Sequence, residues 1–198
     1  MSRRYECPLY FPRVFGRRQC ERIIKLGLDQ PVDEGLVSAG ASSDVEKRKD
    51  HLLRKAGVAW ISPSDDNLWV FDKLSEIIHR ANKTYQYDLQ GFTEDAQFTC
   101  YDRVGDFYDW HQDGLEGELA VRKLSMVVQL SDAHDYEGAD LELFGLSCEQ
   151  EVADAWRQDL RRQGSAVVFP AFEYHRVRPL ISGKRYSLVC WIGGPPFK

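Results

Sequence analysis

The chain has 198 residues and a mass of 22.8 kDa, the size of one ordinary domain with a sizeable core. Hydrophobic residues make up 43% of it and charges of both signs are mixed throughout, a composition that excludes a disordered chain. A net charge of -5 gives no overall electrostatic reason to expect nucleic acid or an anionic membrane as a partner.

In chain order, Met1 to Glu6 lacks the apolar core of a secretory signal, and no apolar run is long enough to cross a bilayer. A cytoplasmic protein is the expectation. From Arg17 to Leu28, the residues Cys20, Ile23, Ile24 and Gly27 follow a helical stripe. Asp33 to Lys55 is polar and rich in Ser, Gly and charge, so it reads as a mobile loop, with a short strand or helical turn within it as the alternative. The basic run within it, Glu46 to Lys55, reads as a solvated face. Val58 to Ile61 reads as a short strand leading to Pro63. A second helix is expected to begin near Ser64 or Asp65, either of which can cap it, with Leu74, Ile77, Ile78 and Ala81 on its apolar face.

After Gly91 the hydrophobic period changes from 3.6 to 2. Gln97 to Tyr101, Leu124 to Leu130, Asp140 to Phe144, Ser165 to Phe169 and Arg185 to Ile192 each read as strands. A polar, helix-like insertion from Glu149 to Arg162 interrupts them and is ended by Gly164. The pattern predicts an α+β fold: a double-stranded β-helix, jelly-roll or cupin-like, with N-terminal helices packed on one sheet. Residues 1–198 then form a single domain, with helical support over 1–90 and the jelly-roll core over 91–198. The five cysteines, Cys7, Cys20, Cys100, Cys148 and Cys190, are scattered and odd in number, which argues against both a disulfide framework and a thiolate zinc site.

His111-Gln112-Asp113 carries the most chemical information. On extended backbone, residues i and i+2 point to the same side, so an imidazole and a carboxylate reach one ion while Gln112 points away. The leading candidate for a third ligand is His175. Two His and one carboxylate on one face of a metal leave its other positions open, as in non-haem Fe(II) oxygenases. His51, His79 and His134 sit in charged or turn-like surroundings and read as surface residues.

On the last strand, Arg185, Ser187, Val189 and Trp191 share one face. A guanidinium with a hydroxyl two residues on is a suitable grip for a carboxylate. The strand Leu124 to Leu130 has Ser125, Val127 and Gln129 on one face, and polar groups there need partners if buried. Gln97, Thr99 and Tyr101 likewise share a face, and Tyr101 is a candidate donor to a bound ligand.

The run from Tyr101 to Asp113 resembles the Y-x-x-G-x-x-Y-x-x-H-x-D segment of the prolyl 4-hydroxylase-like Fe(II)/2-oxoglutarate-dependent dioxygenases, with Gly105, Tyr108, His111 and Asp113 at its spacing and one extra residue between Tyr101 and Gly105. The resemblance continues through Gly138 to Phe144, Val168-Phe169-Pro170, His175-Arg176-Val177 and Gly183 to Leu188, and so covers roughly the second half of the chain. It implies that His111, Asp113 and His175 are the iron ligands and that Arg185 binds the distal carboxylate of 2-oxoglutarate, assisted by Ser187 or Tyr101. Some relatives place a tyrosine where Gln129 stands here; an amide can donate the same bond. The implied cofactors are Fe(II), 2-oxoglutarate and O2, with ascorbate as an accessory reductant, and the implied activity is hydroxylation of a C–H bond.

The substrate is less legible. The stretches 33–55 and 114–122 are the loops expected near the metal, and Gly114 to Glu118 reads as flexible and acidic. A protein or peptide side chain, prolyl among them, is the favoured substrate, with a free amino acid, lipid or other small metabolite as the alternative. Nucleic-acid demethylation fits less well: repair-type relatives carry a second Arg six residues after the cosubstrate Arg, where this chain has Trp191. In a different class stands a non-catalytic metal-binding or sensory cupin module, against which the complete ligand set and Arg185 argue. Oligomeric state is not readable from the sequence.

Overall fold

The computed structural model describes residues 8–34, 52–114, 117–146 and 150–196. Antiparallel strands form its frame. They are β1 (Leu9–Phe11), β2 (Asp33–Glu34), β3 (Arg54–Lys55), β4 (Gly57–Ile61), β5 (Gly91–Phe92), β6 (Ala96–Tyr101), β7 (Phe107–His111), β8 (Arg122–Gln129), β9 (Tyr136–Gly138), β10 (Leu141–Leu143), β11 (Ala166–Pro170), β12 (His175–Val177), β13 (Leu180–Gly183) and β14 (Arg185–Gly193). The larger sheet runs β1-β11-β8-β14-β6-β4-β2, with β5 paired to the end of β14. A smaller sheet runs β10-β12-β7-β3, and β13 pairs with β9.

Side-chain alternation on the larger sheet builds two different faces. Leu124, Met126 and Val128 of β8 join Leu188, Cys190 and Ile192 of β14 in one apolar cluster. Helices α1 (Arg17–Leu28) and α2 (Leu68–Tyr85) cover that face, contributing Cys20, Ile23, Leu74, Ile77 and Ala81 to the same cluster. Ile23, Leu74 and Ile77 each contribute about 1.5–3 kcal/mol by their burial. The approach of α1 is close enough to require glycine: a Cβ on Gly27 would overlap the Phe98 ring. The opposite face holds Val127, Val167, Phe169 and Tyr101, which pack with Leu141, Leu143 and Val177 of the smaller sheet. Helix α3 (Gln150–Leu160) adds Leu160 to this second cluster. The architecture is therefore the α+β double-stranded β-helix with helices on one sheet that the period change predicts.

Several local expectations need correction. Neither Ser64 nor Asp65 caps α2: the helix starts at Leu68, and Asn67, just before it, turns its side chain back to accept from the Ser64 N–H and donate to the Ser62 carbonyl. The first ninety residues also supply β1 to β4, so they complete the sheets as well as supporting them. The ends of the 33–55 segment are the short strands β2 and β3, in line with the alternative of a short strand there; its interior, 35–51 with His51, lies outside the described residues, as do Cys7 and Cys148. Arg54 is buried rather than on a solvated face. Residues 117–121, part of the second expected loop, form a 3-10 helix. Among the described residues no helix is long and apolar enough to cross a membrane, and Cys20, Cys100 and Cys190 are buried free thiols.

Candidate active site

Strands β7 and β12 bring two histidines face to face, since His111 and His175 are direct register partners. Two residues on, Val177 pairs with Tyr108, so the ladder carries one extra residue on β7. This bulge lets Tyr108 and His111, three apart in sequence, point into the same cleft. Their rings stack with centroids 3.4 Å apart and planes 10° from parallel. Just beyond the strand, the Asp113 and Gly114 N–H groups both donate to the Ala171 carbonyl and fix the turn that presents the carboxylate.

The three side chains converge from these anchors. His111 Nε2 lies 3.6 Å from Asp113 Oδ1, and His175 Nε2 lies 3.5 Å from Asp113 Oδ2. One ligand atom from each residue lies within 4.8 Å of the others. His111 Nδ1 is 2.7 Å from the Asp109 carbonyl and His175 Nδ1 is 2.9 Å from the Glu173 carbonyl. A carbonyl only accepts, so each Nδ1 carries a proton, and Nε2 is left as the nitrogen that a metal would take. Asp113 Oδ2 accepts from Ser125 Oγ at 2.6 Å. Burial, followed by the neighbouring His175, pushes the His111 imidazole down to about 3. For Asp113, burial acts upward, but the two imidazoles and the Ser125 hydroxyl outweigh it and hold the carboxyl below its ordinary value. Two imidazoles and a carboxylate form the donor set of a divalent transition metal with open positions.

The other wall of this cleft is β14 and β6. Arg185, the register partner of Tyr101, is 2% exposed, and its Nη1 has no hydrogen-bond partner. Its Nε donates to Gln129 Oε1 at 3.0 Å. No ion pair links Arg185 to an acidic side chain among the described residues. A buried guanidinium left in this state fits an anionic ligand carboxylate. Ser187 and Tyr101 line the same cleft. Gln129 does not: its Nε2 donates to the Ser131 carbonyl and the Tyr136 hydroxyl, both at 3.1 Å. The direct bond expected from its amide is thus replaced by a carbonyl grip on Arg185.

All three expected metal ligands, with Arg185, Ser187 and Tyr101, therefore share one cleft, and Gln129 stands behind Arg185. His79 and His134 are exposed, as expected of surface residues. Sequence reasoning missed Tyr108, Trp191 and Arg54 as lining residues. Tyr108 is out of phase with His111 unless the bulge is known. Trp191 was legible from its shared face with Arg185. Arg54 carried no signal, because it ends a run of surface-like charge. Arg122 closes the rim: it donates to Glu94 and to the Asp113 carbonyl, and its guanidinium lies 3.9 Å over the Trp191 ring.

The geometry agrees with what the chain is similar to. The model of the 2OG-Fe(II) oxygenase superfamily matches residues 96–193. A PKHD-type hydroxylase of Synechococcus sp. (strain CC9902) is 35% identical over 89 residues, 45% of this chain but only 37% of that protein's length. A PKHD-type hydroxylase of Pseudomonas fluorescens is 27% identical over 198 residues, covering 92% of this chain and 76% of that protein. Among solved structures, a Trichoplax adhaerens prolyl hydroxylase in complex with a hypoxia inducible factor peptide fragment superposes with a TM-score of 0.71 at 16% identity, covering 94% of this chain and 83% of that one.

Proposed function

We propose, from the match of residues 96–193 to the 2OG-Fe(II) oxygenase superfamily, that this chain is an Fe(II)- and 2-oxoglutarate-dependent hydroxylase of a C–H bond on a protein or peptide side chain. The observation that carries the reading is the pairing, in one cleft, of the His111, Asp113 and His175 cluster with the unpartnered guanidinium of Arg185. Peptide is favoured as substrate because the relatives are named hydroxylases and one structural neighbour is a prolyl hydroxylase holding a peptide.

His111 Nε2, His175 Nε2 and the Asp113 carboxylate would hold the iron, and Arg185 would hold the distal carboxylate of 2-oxoglutarate. When bound, iron, 2-oxoglutarate and O2 supply an oxidant strong enough to hydroxylate an unactivated C–H bond, with succinate and CO2 as coproducts. The Asp109 and Glu173 carbonyls fix both imidazole tautomers, so the ligand nitrogens need no reorganisation. Ser125 holds one Asp113 oxygen and restrains carboxylate rotation. Gln129 orients Arg185 through Nε, leaving Nη1 for the cosubstrate, with Ser187 and Tyr101 beside it. Val127, Leu141, Val177, Val189 and Trp191 give the cleft apolar walls that keep water from the reacting centre. The test is anaerobic titration of Fe(II) protein with 2-oxoglutarate, followed by succinate release with proline-containing peptides. A visible charge-transfer band and peptide-stimulated succinate are expected; no band would overturn the reading.

A further inference from the structure

The cleft contains a second buried guanidinium that the chemistry above does not use. Arg54, on β3, is 6% exposed. Its Nη2 donates to Gln97 Oε1 at 2.9 Å, and its Nε has no partner. Gln97 Oε1 also accepts from Thr99 Oγ1 at 3.3 Å. The guanidinium lies 4.7 Å over the Tyr108 ring, which in turn stacks on His111. Arg54, Gln97, Thr99 and Tyr108 all line the metal cleft. Among the described residues no carboxylate pairs with Arg54. A permanent charge buried without a counter-charge is costly, and a stacked, hydrogen-bonded fork with one free N–H is already shaped for an oxyanion.

A count of charge points the same way. The formally charged lining residues are Arg54, Arg185 and Asp113, and metal binding leaves both imidazoles neutral. A divalent iron and a dianionic cosubstrate cancel each other. Asp113 and Arg185 then balance, and Arg54 is left over, beside the ring that stacks on a metal ligand. We propose that Arg54 anchors a carboxylate of the substrate, so that the hydroxylated carbon lies near an acidic group. This rests on the hydroxylase reading and names the substrate class within it. The carboxylate has two sources: an acidic side chain next to the target in a peptide, or the carboxylate of a free amino acid.

The experiment measures binding rather than turnover. The protein is loaded anaerobically with Fe(II), and 2-oxoglutarate binding is recorded by calorimetry and by the visible band; absence of both sinks the hydroxylase reading. Substrate binding is then measured, with and without 2-oxoglutarate, for matched pairs differing only in charge. One arm uses capped peptides with Asp or Glu beside proline against the same peptides with Asn or Gln. The other uses free L-proline, L-aspartate and L-glutamate against their α-amides. The carboxylate member is expected to bind about 10- to 100-fold more tightly than its amide in one arm, and that arm identifies the source. Arg54→Gln removes the preference and leaves 2-oxoglutarate affinity within about threefold, while Arg54→Lys keeps part of it. Equal binding of acid and amide, or no carboxylate bound in either arm, overturns the proposal. So does loss of 2-oxoglutarate affinity in Arg54→Gln, which would assign the group to the cosubstrate. The acid-over-amide comparison stands on the unsubstituted protein even if Arg54→Gln fails to fold.

Discussion

Gln129 Oε1 accepts from Arg185 Nε at 3.0 Å, and this bond aims a fully buried guanidinium from behind. The amide cannot swivel away, because its nitrogen is held by the Ser131 carbonyl and the Tyr136 hydroxyl. Gln129→Leu is therefore expected to raise the 2-oxoglutarate KM about tenfold with kcat little changed, the size of one lost hydrogen bond to a charged group. Arg185→Gln, which removes the charge itself, is expected to raise it at least about 100-fold. Initial-rate kinetics and cosubstrate calorimetry check both; a Gln129→Leu protein with unaltered cosubstrate affinity would count against the orienting role.

His111→Ala is expected to abolish the visible charge-transfer band formed by Fe(II) and 2-oxoglutarate. It removes one of the three proposed side-chain ligands and exposes the stacked face of Tyr108. An undiminished band in anaerobic absorption spectra would remove His111 from the metal.

Ser125 touches Asp113 and not the metal position. Ser125→Ala should lower Fe(II) affinity about 10- to 100-fold, the usual cost of losing a partner that orients a ligand. Because a small hydroxyl is replaced by a methyl, the metal-free protein should melt within a few degrees of the unsubstituted one. Anaerobic metal titration with a chromophoric chelator, paired with thermal melts, separates the two effects.

The metal-free protein has a pH dependence whose sign follows from His111. Burial first, then His175, lowers its folded value from 6.5 to about 3. Between those values the unfolded chain binds the proton and the folded chain does not, so stability rises with pH. It is complete above about 6.5 and is lost progressively as pH falls toward 3. Asp113, also held low, adds loss in the same direction at more acidic pH. Thermal melts across pH 3–8 should show a shallower acid loss in His111→Gln than in the unsubstituted protein. Parallel curves would show that the imidazole is not buried neutral.

Gly27 tests the packing of α1 on the larger sheet. Gly27→Ala gains helix propensity but drives a methyl into the buried Phe98 ring, itself stacked on Tyr186. Overpacking of this kind costs about 1–3 kcal/mol, more than the propensity gain of about 1 kcal/mol. Urea denaturation should give a lower midpoint at unchanged slope.

Much of this site was legible because its residues repeat at the strand period. Arg185 and Ser187 share a face of β14, and Tyr101 shares one of β6, so alternation alone directs them inward. The polar face of β8 was equally readable, yet alternation does not tell a group that touches a ligand from one that braces its neighbour, and Gln129 proved to brace. Tyr108 was hidden by the extra residue on β7, which breaks the period at that point. Arg54 was hidden by composition: in a run of charges, the one side chain that turns inward carries no local mark. The helix start at Leu68 was misplaced because Asn67 spends its side chain on Ser62 and Ser64 rather than on the helix.

The opposed positions of His111 and His175 have a consequence for assembly of the chain itself. Because they are cross-strand partners, sliding β12 by one residue along β7 would turn His175 out of the cleft and bring an arginine or a tyrosine in its place. Such a mispaired chain could keep its hydrogen-bonded ladder yet lose a ligand. A metal held by the proposed ligands would favour the correct strand alignment through its binding energy and leave slipped chains without that gain.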